Sequence, residues 1–135
     1  MDTAIPPPRD DQPIDARALR VVVVDDQRRF RDAARALLER RGYAVVGEAG
    51  CRATAFEAVE RLGPEAVLLD VRLGDDDGLE VCAALTRAHP DVTVVLASDA
   101  DYGQLPDLVR ASGAAGFVRK SQLVQTDFER FWPRG

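Results

Sequence analysis

From residue 19 onward the chain alternates short apolar runs with longer stretches of apolar residues at helical spacing. Residues 20–24 (RVVVV) form a continuous β-branched run, the mark of a strand buried on both faces. Phe30, Ala33, Ala34, Leu37 and Leu38 follow at i, i+3, i+4, i+7 and i+8, an amphipathic helix that Gly42 ends. Residues 43–47 read as a second strand. Residues 51–62 read as a second helix, with Ala55, Val59 and Leu62 on one face and Gly63-Pro64 as its stop. A third strand covers 66–69 and ends at Asp70. A turn over 74–77 leads into a helix over 78–88, with Asp77 as N-cap and Glu80 closing a capping box. A fourth strand covers 92–97, and a helix over 105–112 carries Pro106 in its first turn. Residues 117–119 form a short fifth strand, and a last helix is predicted over 123–131.

Five strands, each followed by a helix, predict a (βα)5 unit. Crossovers of this length require parallel strands and are right-handed. The fold class is therefore α/β, a flavodoxin-like doubly wound parallel sheet, and 2-1-3-4-5 is the common order for five strands. Residues 1–18 hold four of the eight prolines and four aspartates, without apolar periodicity. They read as a disordered leader, followed by one domain over 19–135.

At 135 residues the chain fits one domain. Its two cysteines, Cys51 and Cys82, have no CxxC spacing. That excludes a disulfide scaffold or zinc cluster, leaves both as inert small apolar residues and fits a reducing, cytoplasmic setting. No apolar run approaches the roughly 20 residues of a membrane span, and no signal-peptide h-region is present. A net charge of −5 argues against direct DNA binding. Of the 18 basic residues, Lys120 is the single lysine.

In open parallel sheets, sites form beyond the carboxyl ends of the strands, near the point where strand order reverses. Asp25 and Asp26 follow the first strand, Asp70 the third, Ser98 the fourth and Lys120 the fifth. Any one aspartate there is commonly a turn or cap residue. Three carboxylates, a hydroxyl and the only lysine at one edge point instead to a pocket. Three carboxylates repel unless a cation joins them, and an oxygen-only acidic pocket suits Mg²⁺.

At these residues the chain resembles response-regulator receiver domains. The matching segments are VVVVDDQ (21–27), VLLDVRLGDDDGLEV (67–81), VVLASDAD (94–101) and GAAGFVRKS (113–121). The resemblance implies that Asp70 is the phospho-acceptor. It implies that Asp25 and Asp26 hold Mg²⁺, with Asp26 the direct ligand, Asp25 acting largely through water, and the backbone carbonyl of Arg72 a further ligand. Ser98 is then the hydroxyl that reads the phosphoryl group, Lys120 the family's lysine and Phe117 the aromatic switch. The implied donor is a sensor histidine kinase or a histidine phosphotransfer protein. Output is expected through an unknown downstream protein, from a stand-alone monomer or weak homodimer, with no enzymatic activity beyond self-phosphorylation and autodephosphorylation at Asp70. A phosphate sink or degenerate scaffold is the alternative within this fold.

Three positions depart from the family pattern. Arg72 puts a guanidinium beside the pocket, Gly74 replaces a common proline, and Ser121 replaces the proline that commonly follows the lysine, so a trans bond is expected there. Other functions fare worse. A calcium loop aligned on Gly78 puts Leu73 and Ala84 at positions that need acids. An aspartyl phosphatase wants a second aspartate where Arg72 stands. A flavin carrier wants a phosphate loop where Asp25-Asp26 would repel phosphate. His89 and Ser98 fall at opposite ends of the fourth strand, which defeats a serine hydrolase, and His89 reads as a surface residue. Arg28, Arg29, Arg31 and Arg35 read as a solvated helix face beside the pocket rather than a nucleic-acid patch. Phe128, Phe131 and Trp132 read as core and helix-end packing.

Overall fold

The computed structural model describes residues 18–100 and 106–132. The leader expected over 1–18 falls outside them except for Ala18, as do the last three residues of the expected domain. The elements are β1 (Arg20–Val24), α1 (Arg28–Arg40), β2 (Ala44–Ala49), α2 (Arg52–Leu62), β3 (Ala66–Asp70), α3 (Gly78–Ala88), β4 (Thr93–Ser98), α4 (Pro106–Ala111) and β5 (Gly116–Arg119). A two-residue antiparallel ladder pairs Arg72–Leu73 with Asp76–Asp77 and tightens the turn before α3. The sheet is parallel, in the order β2-β1-β3-β4-β5, which is the expected 2-1-3-4-5.

Strict alternation divides the core between the two faces of the sheet. Val21, Val23, Leu68, Val95 and Val118 pack with Ala34, Leu37 and Leu38 of α1. Val22, Val24, Leu69, Val94 and Leu96 pack with residues of α2, α3 and α4. The central valines of β1 are fully buried, as a strand covered on both faces requires.

Four sequence expectations need correction. First, the last helix is not α-helical. Its residues form 3-10 turns over Lys120–Gln125 and Phe128–Arg130, with Thr126 and Asp127 in extended conformation between them. Asp127 accepts from the backbone of Glu129 and starts the second turn afresh. Second, β2 runs to Ala49 rather than to Gly47, because a bulge against Val21/Val22 lengthens its path and the Ala49 carbonyl accepts from Asp25 N at 2.9 Å. Third, Asp77 does cap α3, accepting from Leu79 N at 2.9 Å, but Glu80 does not close a box: it pairs with Arg52. Fourth, Cys51 is not an apolar filler. It is the exposed N-cap of α2 in reciprocal contact with Thr54, whose hydroxyl holds the thiol below its ordinary value. Cys82 is buried in the core as expected. His89 is half-buried, and its Nε2 lacks a hydrogen bond. No described helix is long and apolar enough to cross a membrane.

Candidate functional site

The carboxyl ends of β1, β3, β4 and β5 open into a cleft of about 980 Å³, lined among others by Asp26, Asp70, Arg72, Ser98 and Lys120. Alternation decides which wall each side chain joins. Asp25 follows Val21 and Val23, Asp70 follows Ala66 and Leu68, and Lys120 follows Val118, so all three lean toward the α1 face. Ser98 follows Val94 and Leu96 and joins the opposite face.

The three carboxylates converge. One oxygen from each of Asp25, Asp26 and Asp70 lies within 4.8 Å of the others. Asp25 and Asp70 are buried, whereas Asp26 is exposed. Local turns hold the buried pair: Asp25 Oδ1 accepts from Gln27 N at 2.8 Å, and Asp70 Oδ1 accepts from Arg72 N at 3.1 Å. Lys120 faces the other two oxygens, with Nζ 2.6 Å from Asp25 Oδ2 and 3.3 Å from Asp70 Oδ2. The Asp25 contact is a close ion pair, so the buried Asp25 Oδ2 has the Lys120 ammonium as its partner. Among the described residues no donor reaches the Asp26 carboxylate.

Burial pushes the Asp70 carboxyl up to about 6, and the Asp25 charge adds to it; the Arg72 N–H and Lys120 only partly offset them. Burial acts to lower the Lys120 ammonium, but pairing with Asp25 and Asp70 outweighs it and holds the group above the ordinary lysine value.

Gly78 sets the depth of the pocket floor. Its N–H donates to the Val71 carbonyl at 2.7 Å, and a Cβ there would overlap the carbonyl oxygens of Asp70 and Val71. Only glycine lets α3 start this close to the loop after β3.

Ser98 is buried at the cleft wall and is not bonded to Asp70; its Oγ accepts from Ala100 N at 3.1 Å. In the β4–β5 ladder Leu96 lies opposite Phe117 and Ser98 opposite Arg119, so Ser98 and Phe117 are diagonal neighbours on one face. Phe117 is half-buried against the core of that face. The Arg72 guanidinium is exposed and makes no ion pair among the described residues. On α1, Arg31 and Arg35 are engaged by Glu48 at 3.2 and 2.7 Å, while Arg28 and Arg29 are exposed. The segment beyond Lys120 lacks a cis bond at Ser121.

Residues 21–126 match the model of the response regulator receiver domain. The chain belongs to this family. Response regulator GacA of Pseudomonas aeruginosa is 34% identical over 103 residues, which is 76% of this chain and 48% of that protein. Response regulator UvrY of Escherichia coli is 32% identical over 108 residues, 79% of this chain and 50% of that protein. The receiver thus spans about half the length of the curated relatives it matches. Among solved structures, the signal receiver domain of NarL from Mycobacterium tuberculosis superposes with a TM-score of 0.69 at 35% identity, covering 80% of this chain and 91% of that one. A Burkholderia pseudomallei response regulator, solved with a phosphorylated aspartic acid, a calcium ion and citrate, gives 0.74 at 26% identity, covering 84% and 66%.

One neighbour of the site was not singled out in the sequence. The Lys120 ammonium lies 4.3 Å from the centroid of the Phe30 ring. Phe30 reads in sequence as an ordinary apolar position of an amphipathic helix, and nothing local distinguishes it from Leu37.

Proposed function

We propose that this receiver accepts a phosphoryl group on Asp70 from a phosphohistidine of a sensor histidine kinase or histidine phosphotransfer protein, with Mg²⁺ as cofactor. The observation that carries the reading is the convergence of Asp25, Asp26 and Asp70 at one strand edge, with the only lysine paired to two of them. In the transfer, an Asp70 carboxylate oxygen bonds to phosphorus as the P–N bond to the donor breaks. The imidazole leaves with the electron pair and is reprotonated from solvent.

The residues fit a hard divalent cation. The donor set is all oxygen, one oxygen from each of the three carboxylates lies within 4.8 Å of the others, and the Asp26 carboxylate is exposed with no donor among the described residues. Asp25, Asp26, Asp70 and the Arg72 carbonyl are the groups that would hold it. Bound there, it supplies charge neutralisation at the phosphoryl oxygens. The chain's own groups do the rest. Lys120 brings a second positive charge to Asp70 Oδ2, and the Arg72 N–H fixes the Asp70 rotamer through Oδ1.

Ser98 is the group for reading the new phosphoryl charge, because its hydroxyl is free to turn from accepting Ala100 N–H to donating. Its movement opens space on the face that Phe117 shares, and Phe117 filling that space repacks the surface of α4 and β5. Output then goes to a partner protein that distinguishes the two surfaces.

The test is intact-mass measurement after incubation with Mg²⁺ and acetyl phosphate. One phosphoryl group is expected on the wild type and none on Asp70→Asn; equal labelling of both overturns the assignment. Calorimetric titration with Mg²⁺ checks the ligand set: Asp26→Ala weakens binding, and unchanged affinity removes Asp26 from it.

A further inference from the structure

The receiver's lysine is enclosed on three sides. Two are the carboxylates of Asp25 and Asp70, and the third is the face of the Phe30 ring. The enclosure follows from the fold. Lys120 leaves β5 two residues after Val118, on the face that α1 covers, and Phe30 sits in the first turn of α1 at the edge of the same apolar cluster. The lysine side chain is only 9% exposed as a result.

Physically the ring does something an aliphatic residue does not. Its quadrupole attracts a cation placed over its face, and more strongly where water is excluded. A lysine stem has several rotatable bonds, and without a wall the ammonium samples rotamers that reach solvent. The two carboxylates pull the ammonium inward but do not by themselves shield its outer side.

We propose that Phe30 is a positioning residue for phosphoryl acceptance at Asp70. Its ring face keeps the Lys120 ammonium seated between Asp25 and Asp70, so that the charge is in place when the phosphodonor arrives. Phe30 acts through Lys120. The proposal rests on the reading of Asp70 as acceptor, and two measurements separate the two.

Because Lys120 is the only lysine, ¹³Cε-lysine labelling yields a single side-chain signal. The ring current of Phe30 shifts its Hε protons upfield in the wild type. Phe30→Leu returns them to the ordinary lysine position, and Phe30→Tyr retains the shift. Labelling with acetyl phosphate and Mg²⁺ is then about three- to tenfold slower in Phe30→Leu and close to wild type in Phe30→Tyr. A wild-type signal at the ordinary lysine position overturns the proposal. So does Phe30→Leu labelling at the wild-type rate, and so does equal slowing in the Leu and Tyr variants, which marks a space-filling role. A wild type that shows the ring-current shift but takes up no phosphoryl group overturns the acceptor reading itself.

Discussion

The face of the sheet that α1 covers ends in two opposite ways. At the carboxyl ends of the strands it buries two carboxylates, a lysine and part of Phe30. Toward the amino end of β2 it buries Tyr43, Phe128 and Trp132, with Phe128 and Trp132 stacked at 5.1 Å and Tyr43 edge-on to Trp132 at 5.8 Å. Both ends bury side chains, but only one buries mostly apolar ones. Burial and the Asp25 charge oppose ionisation of Asp70 at neutral pH, whereas three packed rings contribute apolar burial and edge or stacked contacts. The lesson is a division of labour within one layer. The pocket end breaks the rule against burying like charges, and the aromatic end helps to offset it.

The contrast breaks most visibly at Trp132. Trp132→Ala is expected to destabilise the receiver by about 3–5 kcal/mol, read by urea denaturation, while the remaining folded protein still labels on Asp70. A loss below about 1 kcal/mol would remove the aromatic end from the comparison.

Asp70→Asn tests the other end, and its effect has the opposite sign. Because the folded Asp70 carboxyl is raised to about 6, its contribution to stability is fully present below the unfolded value and is lost as pH rises through about 6. At pH 7.5 in metal-free buffer the asparagine variant should therefore be more stable than wild type by about 1–3 kcal/mol, reduced by whatever Lys120 loses as a partner. The gain should fade as pH falls from 6 to 4. A variant less stable than wild type at pH 7.5 would mean that Asp70 is a net stabilising ion-pair partner.

The smallest effect on stability is expected from Lys120→Arg, about 1 kcal/mol or less by thermal melting, because the charge is kept. Labelling should nevertheless slow, or proceed without the NMR shifts expected around Ser98 and Phe117. A planar guanidinium does not replace a compact ammonium between two carboxylates and a ring. Wild-type behaviour in both measurements would show that charge alone is required.

The C-terminal segment and the pocket differ in how much of each was legible. Residues 123–131 carry apolar positions that suggest a helix, yet the stretch is short, and Ser121, Thr126 and Asp127 favour turns and caps. With little autonomous helicity, its path follows the anchors: Phe128 and Trp132 enter the core, and Arg41 reaches the carbonyls of Val124 and Thr126. The end of β2 was hidden for a related reason, since its bulge exists only against β1. Asp25, Asp26, Asp70, Ser98 and Lys120 could be singled out because a parallel sheet presents whatever follows its strands at one edge.

By itself the sequence determined the βα alternation, the parallel sheet and the residues delivered to its carboxyl edge. Those follow from periodicity and from the sidedness of strands, which are local properties. The tertiary structure alone decided how closely those side chains approach one another, how deeply Asp70 is buried and that a phenylalanine from α1 covers the lysine from β5. Those depend on burial and on contacts between elements some 90 residues apart in the chain, from Phe30 to Lys120, and no local pattern encodes them.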